Sequence, residues 1–240
     1  MLLFYIRHGD PIYEPDSLTP LGHRQAEEAA RRLAQHGVDR IFSSTSNRAM
    51  QTAKPTCEMV KKEMELLDFA SEVHAWNAIA PDLGAGKRFV GAQPAWKKLF
   101  VSPEMTALGR RWYEHPALCE HAETFKQYMA FVDENSDAWF KSLGYAHDRK
   151  NGYYIPERDS DERVALFAHG GFGQAFLSSI LDMPYPHFCR HFGMCFTGVT
   201  AIEFKDEGDG CVLPQVLTMA NDAHLYRGGL PQQGGRYLRY

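Results

Sequence analysis

The chain has 240 residues, of which 44% are apolar and 23% are charged. A chain of this length buries a substantial core without disulfide or metal support, and this composition excludes a disordered or fibrous protein. The net charge of −4 provides no basic field, so we expect neither a nucleic-acid partner nor an anionic membrane as partner.

Cysteine usage and hydropathy predict the cellular compartment. The cysteines are odd in number and scattered, without a Cys-x-x-Cys pair, which is atypical of a disulfide framework. The apolar run over 1–6 is too short for a secretory signal, and no apolar stretch approaches the ~18 residues that cross a bilayer. We therefore expect a soluble, cytoplasmic protein with reduced thiols. These are Cys57, Cys119, Cys189, Cys195 and Cys211.

The first predicted unit is a strand followed by a helix. Residues 2–6 form a continuous apolar run that ends at Arg7, which is typical of a buried strand with charged residues at its carboxyl end. Thr19 is suited to the N-cap of a helix, Pro20 to its first position and Gly37 to the position after its end.

The second unit repeats this arrangement. Residues 38–42 predict a short strand, and the helix that follows extends to about Met64. Pro55 lies within this helix and is expected to kink or interrupt it. Residues 65–69 predict another strand.

A third strand and helix come late in the chain. Residues 164–168 predict a buried strand, 172–180 a helix, and 198–204 with 211–219 an antiparallel hairpin. Strands that alternate with helices form mainly parallel sheets covered on both faces. The sequence therefore predicts an α/β fold, a three-layer α/β/α sandwich with a mainly parallel sheet.

The alternation fails between about 77 and 160. This stretch holds three of the four tryptophans and a predicted long helix over 120–143. We expect one domain over 1–240 with an inserted cap over about 77–160.

Cationic or potentially cationic side chains follow three of the predicted strands. Arg7 and His8 follow the first strand, Arg48 lies shortly after the second, and His169 follows 164–168. Ligands bind beyond the carboxyl ends of the strands in open α/β sheets. Two arginines and two histidines at one edge predict a site for a multiply charged oxyanion, most simply a phosphoryl group.

Glycines and a helix start support this anion site. Gly9, Gly170 and Gly171 allow the backbone to approach a ligand closely. Arg48 lies near a helix N-terminus, where free N–H groups favour anions.

Four segments carry a pattern in which these residues recur. In chain order they are Arg7-His8-Gly9, Leu18-Thr-x-x-Gly22-x-x-Gln25-Ala26, Ser43-Ser-x-x-x-Arg48-Ala-x-Gln51-Thr52-Ala53 and Ala168-His169-Gly170-Gly171. In this order and spacing they resemble the histidine phosphatase superfamily. Phosphoglycerate mutases, fructose-2,6-bisphosphatases and many small phosphatases share the fold of this superfamily. The resemblance covers about residues 1–75 and 160–225.

The resemblance implies roles for the cationic residues. His8 would be the nucleophile that becomes phosphohistidine, while Arg7, Arg48 and His169 would bind the transferring phosphoryl group. The chemistry of the side chains agrees, because a neutral imidazole is a good nucleophile and guanidinium groups supply the positive charge that a metal supplies elsewhere. We therefore expect no metal and no other cofactor.

The resemblance also implies a carboxylic acid soon after the third strand, which protonates the leaving oxygen. Glu72 occupies the position that matches best. Asp68 is the second candidate for this acid, and Asp10 is a third.

Two further features have competing interpretations. The segment His187-x-Cys189-x-His191 has spacing similar to that of metal ligands, but no fourth ligand accompanies it, so we expect no metal there. The basic pairs at 87–88, 97–98 and 110–111 are expected to be solvated, with the alternative that one reaches a distal phosphate or carboxylate of the substrate.

These observations predict a metal-independent phosphatase that acts on a small phosphorylated substrate. A phosphoglycerate-mutase-type transferase and a catalytically weak module that binds a phosphorylated ligand are the alternatives. Glu14 stands where the family often has asparagine, and 77–160 matches no mutase pattern. The substrate and the oligomeric state are therefore not predicted.

Overall fold

Ten strands are present in the computed structural model, which describes residues 1–158 and 160–232. The end of the expected domain, 233–240, and residue 159 of the expected cap lie outside the described residues. The strands are β1 (Leu2–Arg7), β2 (Pro11–Ile12), β3 (Ser17–Leu18), β4 (Arg40–Ser44), β5 (Met64–Leu67), β6 (Tyr145–Asp148), β7 (Tyr153–Pro156), β8 (Arg163–Ala168), β9 (Val199–Glu203) and β10 (Gln215–Asn221).

The α-helices of the described residues lie between these strands and after them. They are α1 (Pro20–His36), α2 (Asn47–Val60), α3 (Glu72–Ile79), α4 (Pro103–Leu108), α5 (Ala122–Ser142), α6 (Gly170–Ile180), α7 (Tyr185–His191) and α8 (Ala223–Arg227). None of them is long and apolar enough to cross a membrane.

The central sheet has six strands in the order β10-β9-β1-β8-β4-β5. Strands β1, β8, β4 and β5 are parallel, whereas β9 and β10 are antiparallel at one edge. This confirms the predicted α/β fold with a mainly parallel sheet.

Side chains of β1 alternate between two apolar cores. Leu3 and Tyr5 belong to the larger core with residues of α5 and α6, whereas Phe4 and Ile6 belong to the smaller core with Leu33 of α1. The alternation follows from the two-residue period of a strand, and burial on both faces explains why β1 is a continuous apolar run. The sheet therefore has helices on both faces, which gives the three layers.

The local signals around α1 act as predicted, whereas Pro55 does not interrupt α2. The Thr19 hydroxyl accepts a hydrogen bond from Gly22 N at 3.0 Å, and Gly37 adopts a positive φ of 77° after the helix. Helix α2 continues through Pro55 to Val60, so the expected interruption is wrong. Its buried face, which includes Ala49 and Ala53, packs on the smaller core and on α1 along its length.

The segment that precedes β6 consists mainly of short 3-10 turns, α4 and α5. Helix α5 lies where the long helix was predicted. Trp112 and Phe125 are stacked with ring centroids 5.2 Å apart, and both belong to the larger core together with Phe176 of α6. These aromatic residues thus pack into the larger core, together with Leu3 and Tyr5 of β1.

Candidate active site

The predicted cationic residues meet at one end of the sheet. His8 follows β1, His169 follows β8, and Arg48 lies in the first turn of α2 after β4. Because these strands are parallel, their carboxyl ends lie at the same edge. Arg7, His8 and Arg48 line a cavity of about 820 Å³ there.

His8 has one ring nitrogen bonded and the other free of a proton. Its Nδ1 lies 2.7 Å from the carbonyl oxygen of Gly9, which accepts only, so Nδ1 carries the proton and Nε2 keeps its lone pair. Burial, reinforced by Arg7 and Arg48, lowers the pKa of His8 to about 3. The imidazole is therefore neutral at pH 7 and equipped to act as a nucleophile.

The loop after His8 is held by two glycines in close contact. A Cβ atom on Gly22 of α1 would lie 2.2 Å from the carbonyl oxygen of Asp10, and one on Gly9 would lie 2.7 Å from that of Gly22. Gly9 N donates to the Thr52 hydroxyl at 3.0 Å, and Asp10 N donates to Gln25 Oε1 at 2.8 Å. Gly9 thus positions His8 through its backbone and is not part of the cavity lining, whereas Gly170 and Gly171 are.

Arg7 is fixed by neighbours and retains an unpartnered donor. Its Nη1 donates to the carbonyl oxygen of Met194 at 2.6 Å, and its guanidinium lies 4.1 Å from the centre of the Phe196 ring. Its buried Nε has no hydrogen-bond partner among the described residues. Gly170 permits close approach, because a Cβ there would lie 3.3 Å from Arg7 Cζ.

Arg48 and His169 form a linked pair. Arg48 Nη2 donates to His169 Nδ1 at 3.1 Å, so the His169 proton resides on Nε2 and is donated to the Ser44 hydroxyl at 2.8 Å. Arg48 Nη1 donates to Asp16 at 2.7 Å, and its buried Nε has no partner among the described residues. Burial, together with His8 and the two arginines, holds the pKa of His169 well below its usual value.

Glu72 lies at the start of α3 and reaches the same cavity. Its two carboxylate oxygens accept hydrogen bonds from Gly171 N at 2.9 Å and Phe172 N at 2.8 Å. Burial raises the pKa of Glu72 above its ordinary value, against the opposing effect of these N–H groups and of Arg7. A carboxyl with a raised pKa beside two arginines is suited to donate a proton.

The other two carboxylates lie elsewhere. The Asp68 side chain is 77% exposed and pairs with His74 at 3.1 Å. The Asp10 carboxylate accepts from the Thr19 hydroxyl at 2.8 Å and so supports the start of α1. Neither lines the cavity with Glu72.

Several residues of the site were not anticipated from the sequence. Asp16 binds Arg48, Ser44 binds His169, and Met194 binds Arg7 through its carbonyl. Trp76 also lines the cavity, and its position one helical turn after Glu72 is a signal that places it on the same face of α3.

Among the described residues, the alternative features supply no charged or metal-binding group to this site, although Cys189 lines the cavity. His187 Nε2 is bonded to the Thr106 hydroxyl at 3.1 Å, Cys189 donates its thiol hydrogen to the carbonyl oxygen of Pro186, and His191 is exposed. Within the described ranges, no group of three or more potential ligand side chains is placed to hold a metal ion. The basic pairs at 87–88, 97–98 and 110–111 are absent from the cavity lining.

A family model matches the N-terminal part of this chain. The model of the histidine phosphatase superfamily (branch 1) matches residues 3–78, which include Arg7, His8, Arg48 and Glu72. A comparison with curated proteins found no match.

Solved structures share the fold at low sequence identity. A phosphoserine phosphatase from Entamoeba histolytica, in complex with phosphoserine, is 20% identical over 93% of this chain and 98% of its own, with a TM-score of 0.58. A mycobacterial glucosyl-3-phosphoglycerate phosphatase, in complex with VO3, is 19% identical over 92% and 99%, with a TM-score of 0.60. The family model thus matches the segment that carries Arg7, His8, Arg48 and Glu72, and the solved structures share the fold over nearly the whole chain.

Proposed function

We propose that the chain is a metal-independent phosphatase that hydrolyses a small phosphomonoester through a phosphohistidine on His8. The observation that carries the proposal is the neutral His8, whose unprotonated Nε2 shares a cavity with Arg7, Arg48 and Glu72. A nucleophile, two fixed cations and a proton donor are the groups that phosphoryl transfer requires.

In the first step, His8 Nε2 attacks phosphorus as the bond to the leaving oxygen breaks. Glu72 gives its proton to that oxygen, which departs as a neutral alcohol, and Glu72 becomes a carboxylate. Arg7 and Arg48, which line the cavity, bind the other phosphoryl oxygens as their charge develops. His169 does not line the cavity, and its ring nitrogens, bonded to Arg48 and Ser44, hold Arg48 in position. The Nδ1 proton of His8 stays on the ring and donates to the Gly9 carbonyl oxygen, which stabilises the ring as it becomes cationic.

In the second step, water attacks phosphorus and the bond from phosphorus to His8 Nε2 breaks. The Glu72 carboxylate accepts the proton from the water, which restores the acid for the next cycle. His8 returns to its neutral form, and inorganic phosphate leaves. No metal takes part, because the positive charge is supplied by side chains.

Two further parts of the proposal concern the rest of the molecule. Residues 77–160 act as a cap, because Phe89, Gly91 and Ala92 of this stretch line the cavity beside the phosphoryl site. The free thiols of the described residues fit a cytoplasmic enzyme, since none of them forms a disulfide.

The neighbours with this fold act on phosphoserine and on glucosyl-3-phosphoglycerate, both phosphomonoesters, which favours hydrolysis over the alternatives. Incubation with a panel of phosphomonoesters, with free phosphate and phosphoglycerate isomers measured in parallel, tests this. We expect free phosphate, unchanged by EDTA, and an acid-labile, base-stable phosphate on the wild-type protein that His8→Ala lacks. Isomer formation without net hydrolysis would instead indicate a mutase, and no turnover of any ester a binding module.

A further inference from the structure

One side of the cavity is apolar, although the phosphoryl site beside it is strongly polar. Among the described residues, the apolar wall consists of Val73, Trp76, Phe89, Ala92, Cys189 and Met194. Trp76 and Phe89 meet edge to face with ring centroids 5.2 Å apart. Val73 and Trp76 are 60% and 40% exposed, so the wall presents uncovered apolar surface to the cavity opening.

The apolar wall lies on the side where the alcohol departs. Val73 and Trp76 are on α3 next to Glu72, the residue placed here as the proton donor to the leaving oxygen. The Phe89 ring packs against Gly171, where a Cβ would lie 2.4 Å from its Cζ. Gly171 N in turn binds the Glu72 carboxylate. A proton donor must stand within hydrogen-bond reach of the leaving oxygen, so the group attached to that oxygen projects along the wall.

Among the described residues, this side of the cavity offers no cationic partner for a second anion. Of the lining residues that the structure describes, Arg7 and Arg48 are the only arginine or lysine side chains, and they lie at or just after the carboxyl ends of β1 and β4. Arg48 is also paired with Asp16 at 2.7 Å. Gln174 has its amide nitrogen directed at the carbonyl oxygens of Cys189 and Phe192. A carboxylate or second phosphate on the substrate would therefore lie against apolar side chains, which is unfavourable without a compensating charge.

We propose that the substrates are aryl or arylalkyl phosphomonoesters, with an aromatic group on the alcohol side and no second anion near the phosphate. Flat apolar groups pack well against edge-to-face aromatic pairs such as Trp76 and Phe89. The inference rests on the proposed phosphatase function and makes it narrower. It separates this chain from the two neighbours, whose phosphoserine and glucosyl-3-phosphoglycerate are polar and carry further charges.

The test compares esters with leaving alcohols of similar basicity. We expect kcat/KM for 2-phenylethyl phosphate to exceed that for n-propyl phosphate by at least about tenfold, the range in which apolar pockets discriminate, with 3-phosphoglycerate the poorest substrate. Trp76→Ala and Phe89→Ala should each reduce the ratio of phenylethyl to propyl, and Trp76→Phe should retain more of it. Tyr226→Ala removes an aromatic side chain that is 88% exposed on α8, away from the cavity, and should leave the ratio unchanged.

The outcomes separate this inference from the function on which it rests. Equal kcat/KM for the two alkyl esters, or a preference for 3-phosphoglycerate, would overturn the aromatic substrate class while hydrolysis itself stands. If no ester turned over, p-nitrophenyl phosphate included, the phosphatase proposal would fail. Calorimetric binding of 2-phenylethyl and n-propyl phosphate to His8→Ala then decides the inference, since equal affinities would contradict it.

Discussion

Two regions of this molecule contain the same kinds of charged residues but differ in how the charges are paired. One is the proposed phosphoryl site at the carboxyl edge of the sheet. The other is an ion-pair cluster between α5, α6 and β6, formed by Arg110, Asp133, Asp137, His147, Arg149 and Asp182. In the cluster the charges are paired within the protein. In the proposed phosphoryl site Arg7 is bonded to a carbonyl oxygen and not to a carboxylate, which leaves its positive charge for an anionic ligand.

The pairing in the cluster is close and reciprocal. Arg110 reaches Asp133 at 2.7 Å and Asp182 at 3.0 Å. Arg149 reaches Asp137 at 2.6 Å, and His147 lies between Asp137 and Asp182 at 3.0 and 2.8 Å. Three carboxylates thus face two guanidinium groups and one imidazole. In contrast, Asp16 is the carboxylate bonded to an arginine of the phosphoryl site, and the arginine Nε atoms there lack partners among the described residues.

The histidines record this difference. Burial alone disfavours the charged form of His147, but its bonds to Asp137 and Asp182 outweigh that effect and raise the pKa of His147 above its ordinary value. Burial beside arginines instead lowers the pKa of His8 to about 3. Carboxylate neighbours thus stabilise the protonated form of a histidine, whereas burial beside arginines stabilises the neutral form that can act as a base or nucleophile.

The largest expected effect is that of His8→Ala. Because the covalent route depends on the Nε2 lone pair, this change should lower kcat by at least about 10⁴-fold, as the loss of a catalytic nucleophile does in other enzymes. Steady-state phosphate release measures the loss, and thermal unfolding checks that the fold is retained. His23→Ala, on the exposed face of α1, is the matched control and should retain full activity. Comparable kcat values for His8→Ala and the wild type would rule out the phosphohistidine.

Glu72→Gln should have the next largest effect, and the effect should depend on the leaving group. Alkyl alkoxides need a proton to depart, so alkyl phosphate hydrolysis should slow by about 10²–10⁴-fold, whereas p-nitrophenyl phosphate should be little affected where departure is rate-limiting. Wild-type kcat on alkyl esters should fall as pH rises through the raised pKa of Glu72, and this decline should vanish in the variant.

The matched control for the acid is Asp68→Asn, which alters the exposed carboxylate near the start of α3. It should hydrolyse both classes of ester at the wild-type rate. A loss confined to alkyl esters in Asp68→Asn, or equal losses on both esters in Glu72→Gln, would move the proton donor away from Glu72.

Arginines from the two regions should respond differently to deletion. Arg48→Ala should lower kcat by about 10²-fold or more, since its charge acts on the transition state. Arg110→Ala should leave kcat unchanged but lower the free energy of unfolding by about 1–3 kcal/mol, between the ranges for exposed and buried ion pairs. Steady-state kinetics and urea unfolding of both variants measure the two effects. An effect of Arg48→Ala on KM alone would contradict its role.

The sequence was informative where function depends on local order. Arg7 and His8 could be placed because an apolar run ends directly before them, and parallel strands bring such ends to one edge. His169 was found in the same way. Thr19 and Gly37 marked the ends of α1 because caps act within a few residues.

The remainder depends on contacts between distant residues. Glu72 was named through the family resemblance, but its bonds from Gly171 N and Phe172 N could not be predicted, because no local pattern links positions about a hundred residues apart. Phe89 enters the apolar wall from a stretch of short turns without periodicity. The interruption expected at Pro55 is wrong for a related reason, because packing of α2 on the smaller core and on α1 outweighs the local preference against proline in a helix.

The last and smallest effect is on the pH dependence of stability, which should differ in sign between the two regions. A group whose pKa is raised on folding stabilises the protein below its unfolded pKa, and this contribution is lost as pH rises through the folded pKa. His147 is such a group, so the wild type should exceed His147→Gln in free energy of unfolding near pH 6, and the difference should shrink as pH rises. The slope cannot exceed about 1.4 kcal/mol per pH unit for one proton.

His8 should show the opposite trend, because its folded pKa of about 3 lies below the unfolded value of about 6.5. Between these values the unfolded chain binds the extra proton, so the free energy of unfolding of the wild type relative to His8→Gln should rise with pH from about 4.5 to 6.5 and then level off. Urea unfolding of the wild type and both variants across pH 4.5 to 8 measures the two differences. If the free energy of unfolding of the wild type and of either variant changed with pH in parallel, the pKa of that histidine would be the same in the folded and unfolded chain. The proposed difference between the ion-pair cluster and the phosphoryl site would then be wrong for that residue.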